Sequence, residues 1–324
     1  MEKVKCNLCG SDDQRQVYSM PDQRYGGTEW FHVVECSTCG LGFVNPRPTR
    51  SEMSRYYPTS FYDYFDREDD YHQTRYAAEA GFLGKRTSSG VPLLLDVGCA
   101  NGDFPRFMRR QGWEVEGVEI ALHSKPIFDF TVYQQEFQDI PVDGPRYDAV
   151  TAWAVLEHVH DPKAYFKKAG RVLKKGGRFV FLVTNFKSLS SRGLYLEDVP
   201  RHLYFFTEET VKKYLEEAGL VLIQKECSNR IYSMHPVNWL RYFVYRLTKK
   251  RAMEWRDIQF AAAHRADKRW GKWNRWTRGF LFFGSHPLYA IDRFLMPLYE
   301  RYQLQTGKYG IVTYVARKSE DSLG

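Results

Sequence analysis

The chain has 324 residues, enough for two domains or for one large domain with appendages. Hydrophobic residues make up 43% and charged residues 27%, a balance that excludes a disordered or fibrous chain. The longest uncharged run in the C-terminal third, Gly279 to Ile291, is 13 residues, short of the roughly 20 that a spanning helix needs. Met1 to Cys6 has no apolar signal core, so the expected location is the cytoplasm. The net charge of +8 is uneven: Arg241 to Phe280 carries 12 Lys+Arg against 3 Asp+Glu, which leaves the rest of the chain near neutral.

Residues 1–48 hold two knuckles, Cys6-Asn7-Leu8-Cys9-Gly10 and Cys36-Ser37-Thr38-Cys39-Gly40. Strand-like runs such as Trp30 to Val34 lie between them. Six cysteines are too few for a disulfide scaffold, and paired Cys-x-x-Cys motifs point to metal. Four thiolates, Cys6, Cys9, Cys36 and Cys39, make a closed tetrahedral set that suits structural Zn2+, and the glycine after each pair lets the backbone turn around the ion. A unit of about 45 residues buries little core, so the metal is expected to supply folding energy. A redox pair is the alternative.

Residues 49–90 are rich in aromatics interrupted by Asp66, Glu68, Asp69 and Asp70, which predicts a helical connector or a lid. From Val91 to residue 227 strands and helices alternate. Strands are predicted at Leu93–Gly98, Glu114–Glu119, Tyr147–Ala152, Arg178–Val183 and Leu220–Lys225, and helices at Phe104–Gln111, Pro162–Leu173 and Thr207–Gly219. Gly176-Gly177 follows the second helix as a stop, and Thr207 caps the third. The rhythm is α/β: a doubly wound, Rossmann-like parallel sheet covered by helices on both faces.

In such a sheet, ligands lie at the carboxyl ends of the strands. The loop Asp96-Val97-Gly98-Cys99-Ala100-Asn101-Gly102-Asp103 fails the dinucleotide fingerprint at Ala100 and Asp103. Asp103 puts negative charge where a pyrophosphate would bind. With Asp96 and Glu119 nearby, the site favours a neutral or cationic nucleoside.

These residues, together with Tyr147-Asp148, Leu156-Glu157-His158-Val159, Asp161-Pro162 and Leu173-Lys174-Lys175-Gly176-Gly177, resemble the class I S-adenosylmethionine-dependent methyltransferases over residues 91 to about 227. The knuckles, Gly40 to Pro48 and His202 to Thr207 are similar to a bacterial subgroup with an N-terminal zinc-binding domain, associated with sugar or surface-polysaccharide biosynthesis. The resemblance implies that Asp96, Gly98, Cys99 and Gly102 line the methionine end of the cofactor. It implies that Glu119 and Ile120 serve the ribose and adenosyl side, that Glu136 and the Phe137 backbone N–H meet adenine, and that Trp153 stands beside the sulfonium. Cys99 and Cys227 read as buried thiols with no nucleophilic role. If the acceptor is a hydroxyl or an acidic carbon, His202, His158 and His160 are the candidate bases, with His202 foremost.

A last strand is expected at Tyr309–Ala316, antiparallel beside the strand at Leu220. The division expected is 1–48 zinc ribbon, 49–90 connector, 91–227 cofactor-binding core, 228–308 basic Trp-rich helical insertion and 309–324 last strand and tail. Trp239, Trp255, Trp270, Trp273 and Trp276 lie in or beside the basic stretch. Three readings of it stay open: a packed helical subdomain, peripheral contact with an anionic membrane through 240–283 at the inner membrane face, or binding of phosphates. The functional expectation is methyl transfer to a small-molecule acceptor, sugar-linked or lipid-linked. An RNA methyltransferase is the alternative enzyme, although the zinc unit is not basic enough to favour nucleic acid. A non-catalytic cofactor-binding module is the alternative from outside the enzymes.

Overall fold

The computed structural model describes residues 1–22, 24–25, 28–58, 70–84, 90–121, 128–188, 191–192, 198–228, 230–232 and 287–319. In chain order these are β1 (Gln14–Pro21), β2 (Trp30–Cys36), β3 (Gly42–Val44), α1 (Asp70–Gly81), β4 (Leu93–Val97), α2 (Asp103–Arg110), β5 (Glu114–Val118), β6 (Thr131–Tyr133), β7 (Tyr147–Trp153), α3 (Pro162–Val172), β8 (Leu173–Thr184), β9 (Tyr204–Phe205), α4 (Glu208–Glu217), β10 (Leu220–Glu226), α5 (Pro287–Thr306) and β11 (Ile311–Lys318).

Seven strands form one sheet in the order β10-β11-β8-β7-β4-β5-β6. The pairs β4–β5, β4–β7, β5–β6 and β7–β8 are parallel, and β11 is antiparallel to both β8 and β10. The expected doubly wound α/β sheet is present. Its strands are near-continuous apolar runs because helices cover both faces; Leu94, Leu95, Val150 and Val180 are fully buried. The helices begin where their caps lie. Asp161 accepts the Ala164 N–H with Pro162 at the first helical position, and Thr207 and Thr210 form a reciprocal capping box at α4.

Two elements differ from expectation. The Gly176-Gly177 pair does not end a helix before a loop; α3 runs directly into β8, and residues 174–177 bulge between the Tyr147–Leu173 and Ala149–Arg178 pairs. The small sheet also recruits a distant strand: its order is β1-β2-β3-β9, with Gly42 opposite Phe205 and Phe43 opposite Tyr204. The ribbon therefore shares an edge with the loop after β8. Its apolar side chains, Cys6, Leu8, Cys36, Leu41 and Phe43, join the same hydrophobic cluster as Leu95, Phe166 and Tyr204. Its burial is borrowed from the large sheet as well as from any bound metal. The basic stretch expected to bind lipid or phosphate, residues 240–283, lies outside the described residues. Among the described residues no helix is long and apolar enough to cross a membrane.

Candidate active site

Strand order reverses between β4 and β7, so the loops leaving their carboxyl ends flank a crevice. The two loops touch. Gly98 has φ +74°, and a Cβ placed on it would lie 2.5 Å from Val155 Cγ2. Only glycine meets both demands. The Gly98 and Cys99 N–H groups donate to the Val118 carbonyl at 2.7 and 3.1 Å, fixing the loop against β5. Among the described residues two non-glycines have positive φ, Ala100 at +46° and Ala154 at +57°. One lies in each crevice loop. Backbone held in this region costs about 1–3 kcal/mol and concentrates at functional sites.

The crevice is acidic at its base. Asp96 closes β4 at 2% exposure and accepts a 2.6 Å hydrogen bond from Thr151 Oγ1. Burial pushes its carboxyl up to about 8, and nearby Glu79 adds to the rise while Thr151 and Arg75 oppose it. Glu79 and Arg75 come from α1 and pair at 2.7 Å. Burial pushes the Glu79 carboxyl up to about 7. Two buried polar atoms, Glu79 Oε2 and Trp153 Nε1, have no hydrogen-bond partner. Trp153 ends β7 and packs edge-on against Phe104 at 5.7 Å. Glu79 Oε2 and Trp153 Nε1 are two of seven such atoms among the described residues, and either a water or a polar ligand atom would satisfy them.

Glu119 follows β5. Its Oε2 accepts from the Ala100 N–H and its Oε1 from the Ala121 N–H, both at 2.9 Å. Ile120, next to it, is 56% exposed, an apolar face left open at the strand end. Gly102 caps α2, and Asp103 opens that helix. The Cys99 side chain packs toward Gly117, and burial raises its thiol, so only its backbone is open to a ligand. Glu136 stands apart from these acids in its bonding. Arg50 takes its Oε1, and the Tyr165 hydroxyl donates to its Oε2 at 2.5 Å. The Phe137 N–H points to the same Tyr165 oxygen at 3.4 Å. Contact with adenine there would have to share both groups with Arg50 and Tyr165.

The donor set fits S-adenosylmethionine. Buried carboxyls suit its cationic end, a loop acid suits its ribose and an exposed isoleucine suits its base.

The loops after β7 and β8 meet. The Glu157 carbonyl accepts from the Leu203 and Tyr204 N–H groups at 2.7 and 3.2 Å. This brings His158 and His202 together, ring centres 4.7 Å apart. The Glu157 carboxylate and one ring nitrogen of each histidine lie within 4.8 Å of one another. Burial, reinforced by His202, lowers His158 to about 3, so it is neutral at physiological pH. His160 is elsewhere: its Nε2 lies 3.1 Å from the Pro48 carbonyl, on the ribbon side. It faces an open cleft of about 550 Å3 also lined by Lys5, Arg47, Arg50 and Tyr204. Arg47 and Arg50 in that cleft are already paired, with Glu2 and Glu136.

The four ribbon cysteines converge within 4.8 Å, with Cys6 and Cys39 sulfurs 3.4 Å apart and Cys9 and Cys36 sulfurs 3.5 Å apart. A tetrahedral ion with Zn–S bonds of about 2.3 Å separates its sulfurs by about 3.8 Å, so the set fits zinc. Gly10 and Gly40, at φ +76° and +79°, donate their N–H groups to the Cys6 and Cys36 carbonyls. The knuckle docks on the core through Asn7, which donates to Asp161 and accepts from the Lys163 N–H and the Tyr214 hydroxyl.

Residues 70–225, just under half of the chain, match a family model described as a methyltransferase domain. The ubiquinone biosynthesis O-methyltransferase of Alkalilimnicola ehrlichii is 32% identical over 152 residues, covering 40% of this chain and 60% of that protein. The enzyme of the same name from Cereibacter sphaeroides is 28% identical over 193 residues, covering 52% and 75%. The chain thus spans 60% of the length of the first of these relatives. An S-adenosylmethionine-dependent methyltransferase structure from Archaeoglobus fulgidus superposes with a TM-score of 0.44 at 16% identity, covering 80% of this chain and 98% of that one.

Several buried polar residues carry no sequence signal. Arg201 is fully buried. Its guanidinium donates to Asp22 at 2.7 and 2.9 Å, to Asp198 at 2.7 Å and to the Tyr56 carbonyl at 2.9 Å. Burial alone would raise the Asp198 carboxyl, but Arg201, His202 and Arg24 outweigh it and hold it below the usual carboxylate range. Arg75 and Glu79 lie at i, i+4 on α1, a spacing that also describes an ordinary surface pair. Only their burial distinguishes them.

Proposed function

We propose that the protein transfers the methyl group of S-adenosylmethionine to a hydroxyl of a small-molecule acceptor. The observation that carries this reading is the crevice at the reversal of strand order. Buried Asp96 and loop acid Glu119 lie on its donor side, and the His158–His202 pair lies on its acceptor side.

When bound, S-adenosylmethionine supplies an electrophilic methyl on a sulfonium centre. Asp96 and Glu79 receive its ammonium, and Arg75, held by Glu79, is placed for its carboxylate. Glu119, at the end of β5, takes the ribose hydroxyls, Ile120 covers one face of adenine, and Glu136 with Phe137 reaches the adenine edge. Gly98 and Gly102 leave room for the backbone to approach. Trp153 closes the methionine end and offers its indole N–H. The chain contributes chiefly orientation, since reactants held in line gain most of the rate.

On the acceptor side His202 takes the hydroxyl proton. His158, at about 3, is too weak a base for that task. The Glu157 carboxylate, within 4.8 Å of the rings, favours the imidazolium that forms. The four cysteines hold a structural zinc, a closed set without an open coordination position.

The hydroxyl acceptor is supported by the two relatives, which are named ubiquinone biosynthesis O-methyltransferases. The sugar-linked acceptor expected from the sequence finds no support among them, but a sugar and a phenol share the hydroxyl chemistry. Contact of residues 240–283 with anionic lipid belongs to this reading as the route to a lipid-linked acceptor. Incubation with S-adenosylmethionine and two acceptor panels, catechols and nucleotide sugars, tests the proposal through release of S-adenosylhomocysteine. Release with either panel supports it and assigns the acceptor class. Tight cofactor binding with no release from any hydroxyl acceptor would refute it.

A further inference from the structure

We infer that Asp22, in the N-terminal zinc-bearing unit, is a positioning residue for the acceptor-side histidines: through Arg201 it fixes His158 as the Nδ1–H tautomer. His158 Nδ1 lies 3.1 Å from the Arg201 carbonyl oxygen. A carbonyl only accepts, so Nδ1 carries the proton. The Tyr57 hydroxyl, 3.1 Å from the same nitrogen, acts as a second acceptor. The ring is neutral, so Nε2 bears the lone pair. The opposite tautomer would put an N–H on Nε2 and leave the Arg201 carbonyl without its donor.

The carbonyl can fix the tautomer only if its own position is fixed. Asp22 provides that through the Arg201 side chain. Both Asp22 oxygens accept from the guanidinium, a two-pronged geometry that sets direction as well as distance. Asp22 is 6% exposed and Arg201 is fully buried. Asp198 and the Tyr56 carbonyl take the remaining donors, and the Tyr25 ring lies 5.0 Å from the guanidinium carbon. Arg24 balances the second carboxylate at 2.8 Å from Asp198. Three segments far apart in the chain, at residues 22–25, 56–57 and 198–202, thus converge on one residue, Arg201. The His202 N–H donates to the Asp198 carbonyl at 2.8 Å, so the second histidine hangs from the same anchor. The zinc-bearing unit therefore does more than cap the fold: it supplies the carboxylate that sets the proton arrangement of the acceptor pocket.

The tautomer rests on the contact between His158 Nδ1 and the Arg201 carbonyl together with the neutral ring, whereas its bearing on turnover rests on the methyl-transfer reading above. The test uses the full chain labelled with 15N-histidine and two-bond 1H–15N correlation spectra, with His158 assigned by its loss in H158Q. Wild type is expected to show His158 protonated at Nδ1. Asp22→Asn and Arg201→Lys are expected to give a mixture of tautomers, to lower turnover with a hydroxyl acceptor by about tenfold or more, and to leave S-adenosylmethionine affinity within about twofold. Asp22→Glu should restore part of the turnover. Protonation at Nε2 in wild type overturns the inference without any variant, as does an unchanged tautomer in folded D22N or R201K. If D22N fails to fold, the wild-type spectrum and R201K decide. Absence of cofactor binding in wild type would instead remove the methyl-transfer reading and leave the tautomer result standing.

Discussion

Replacing Asp96 by Asn should move stability and cofactor affinity in opposite directions. The folded chain holds the Asp96 carboxyl at about 8, against about 3.9 in an unfolded chain. Between those values the folded state keeps a proton that the unfolded state releases, so stability falls as pH rises through that window. At pH 7 the unfolded carboxyl is ionised by about three pH units, and each unit is worth about 1.4 kcal/mol. The native carboxyl therefore costs about 4 kcal/mol at pH 7 and almost nothing at pH 4. Asn can still accept from Thr151 through its oxygen and never ionises. D96N should gain up to about 4 kcal/mol in urea denaturation at pH 7, with the gain vanishing toward pH 4. On binding, the cofactor ammonium displaces the Asp96 proton and pairs with the carboxylate; Asn removes that charged partner, worth about 1.5–3 kcal/mol, which weakens binding by about 10- to 150-fold in calorimetry. A variant that is less stable at pH 7, yet binds S-adenosylmethionine like wild type, would refute the reasoning.

Ala100 sits at φ +46° where a side chain is strained. Ala100→Gly should raise stability by about 1 kcal/mol, and a lower melting temperature would contradict that. His202→Ala should cut turnover by about 100-fold or more while S-adenosylmethionine affinity holds; unchanged turnover removes it as the base. Cys36→Ser should abolish zinc binding, read as metal per chain by mass spectrometry, and lower the melting temperature. Retention of one zinc per chain would show that the four thiolates are not its ligands.

Most of the large sheet was legible because its central strands are short apolar runs and two of its helices carry side-chain caps, at Asp161 and Thr207. The crevice was legible because its acids lie at strand ends in sequence: Asp96 is next to last in β4 and Glu119 follows Val118 of β5. Contacts between remote segments were not legible. Asp22 and Arg201 are 179 residues apart, and neither has a neighbour that marks it as half of a buried pair. β9 is two residues long, too short for any periodicity, and only its pairing with Phe43 and Gly42 makes it a strand. Gly176-Gly177 reads equally as a helix stop and as a bulge, and register alone separates the two. The pairing of Glu136 with Arg50 depends on where residues 49–58 cross the domain, which local pattern does not determine.

The central claim is that this crevice receives an adenosyl sulfonium and rejects a dinucleotide. Isothermal titration of the full chain with S-adenosylmethionine, and separately with NADH, tests it most directly. The account predicts one S-adenosylmethionine bound per chain and no heat from NADH. Saturable NADH uptake with a flat S-adenosylmethionine trace would contradict it.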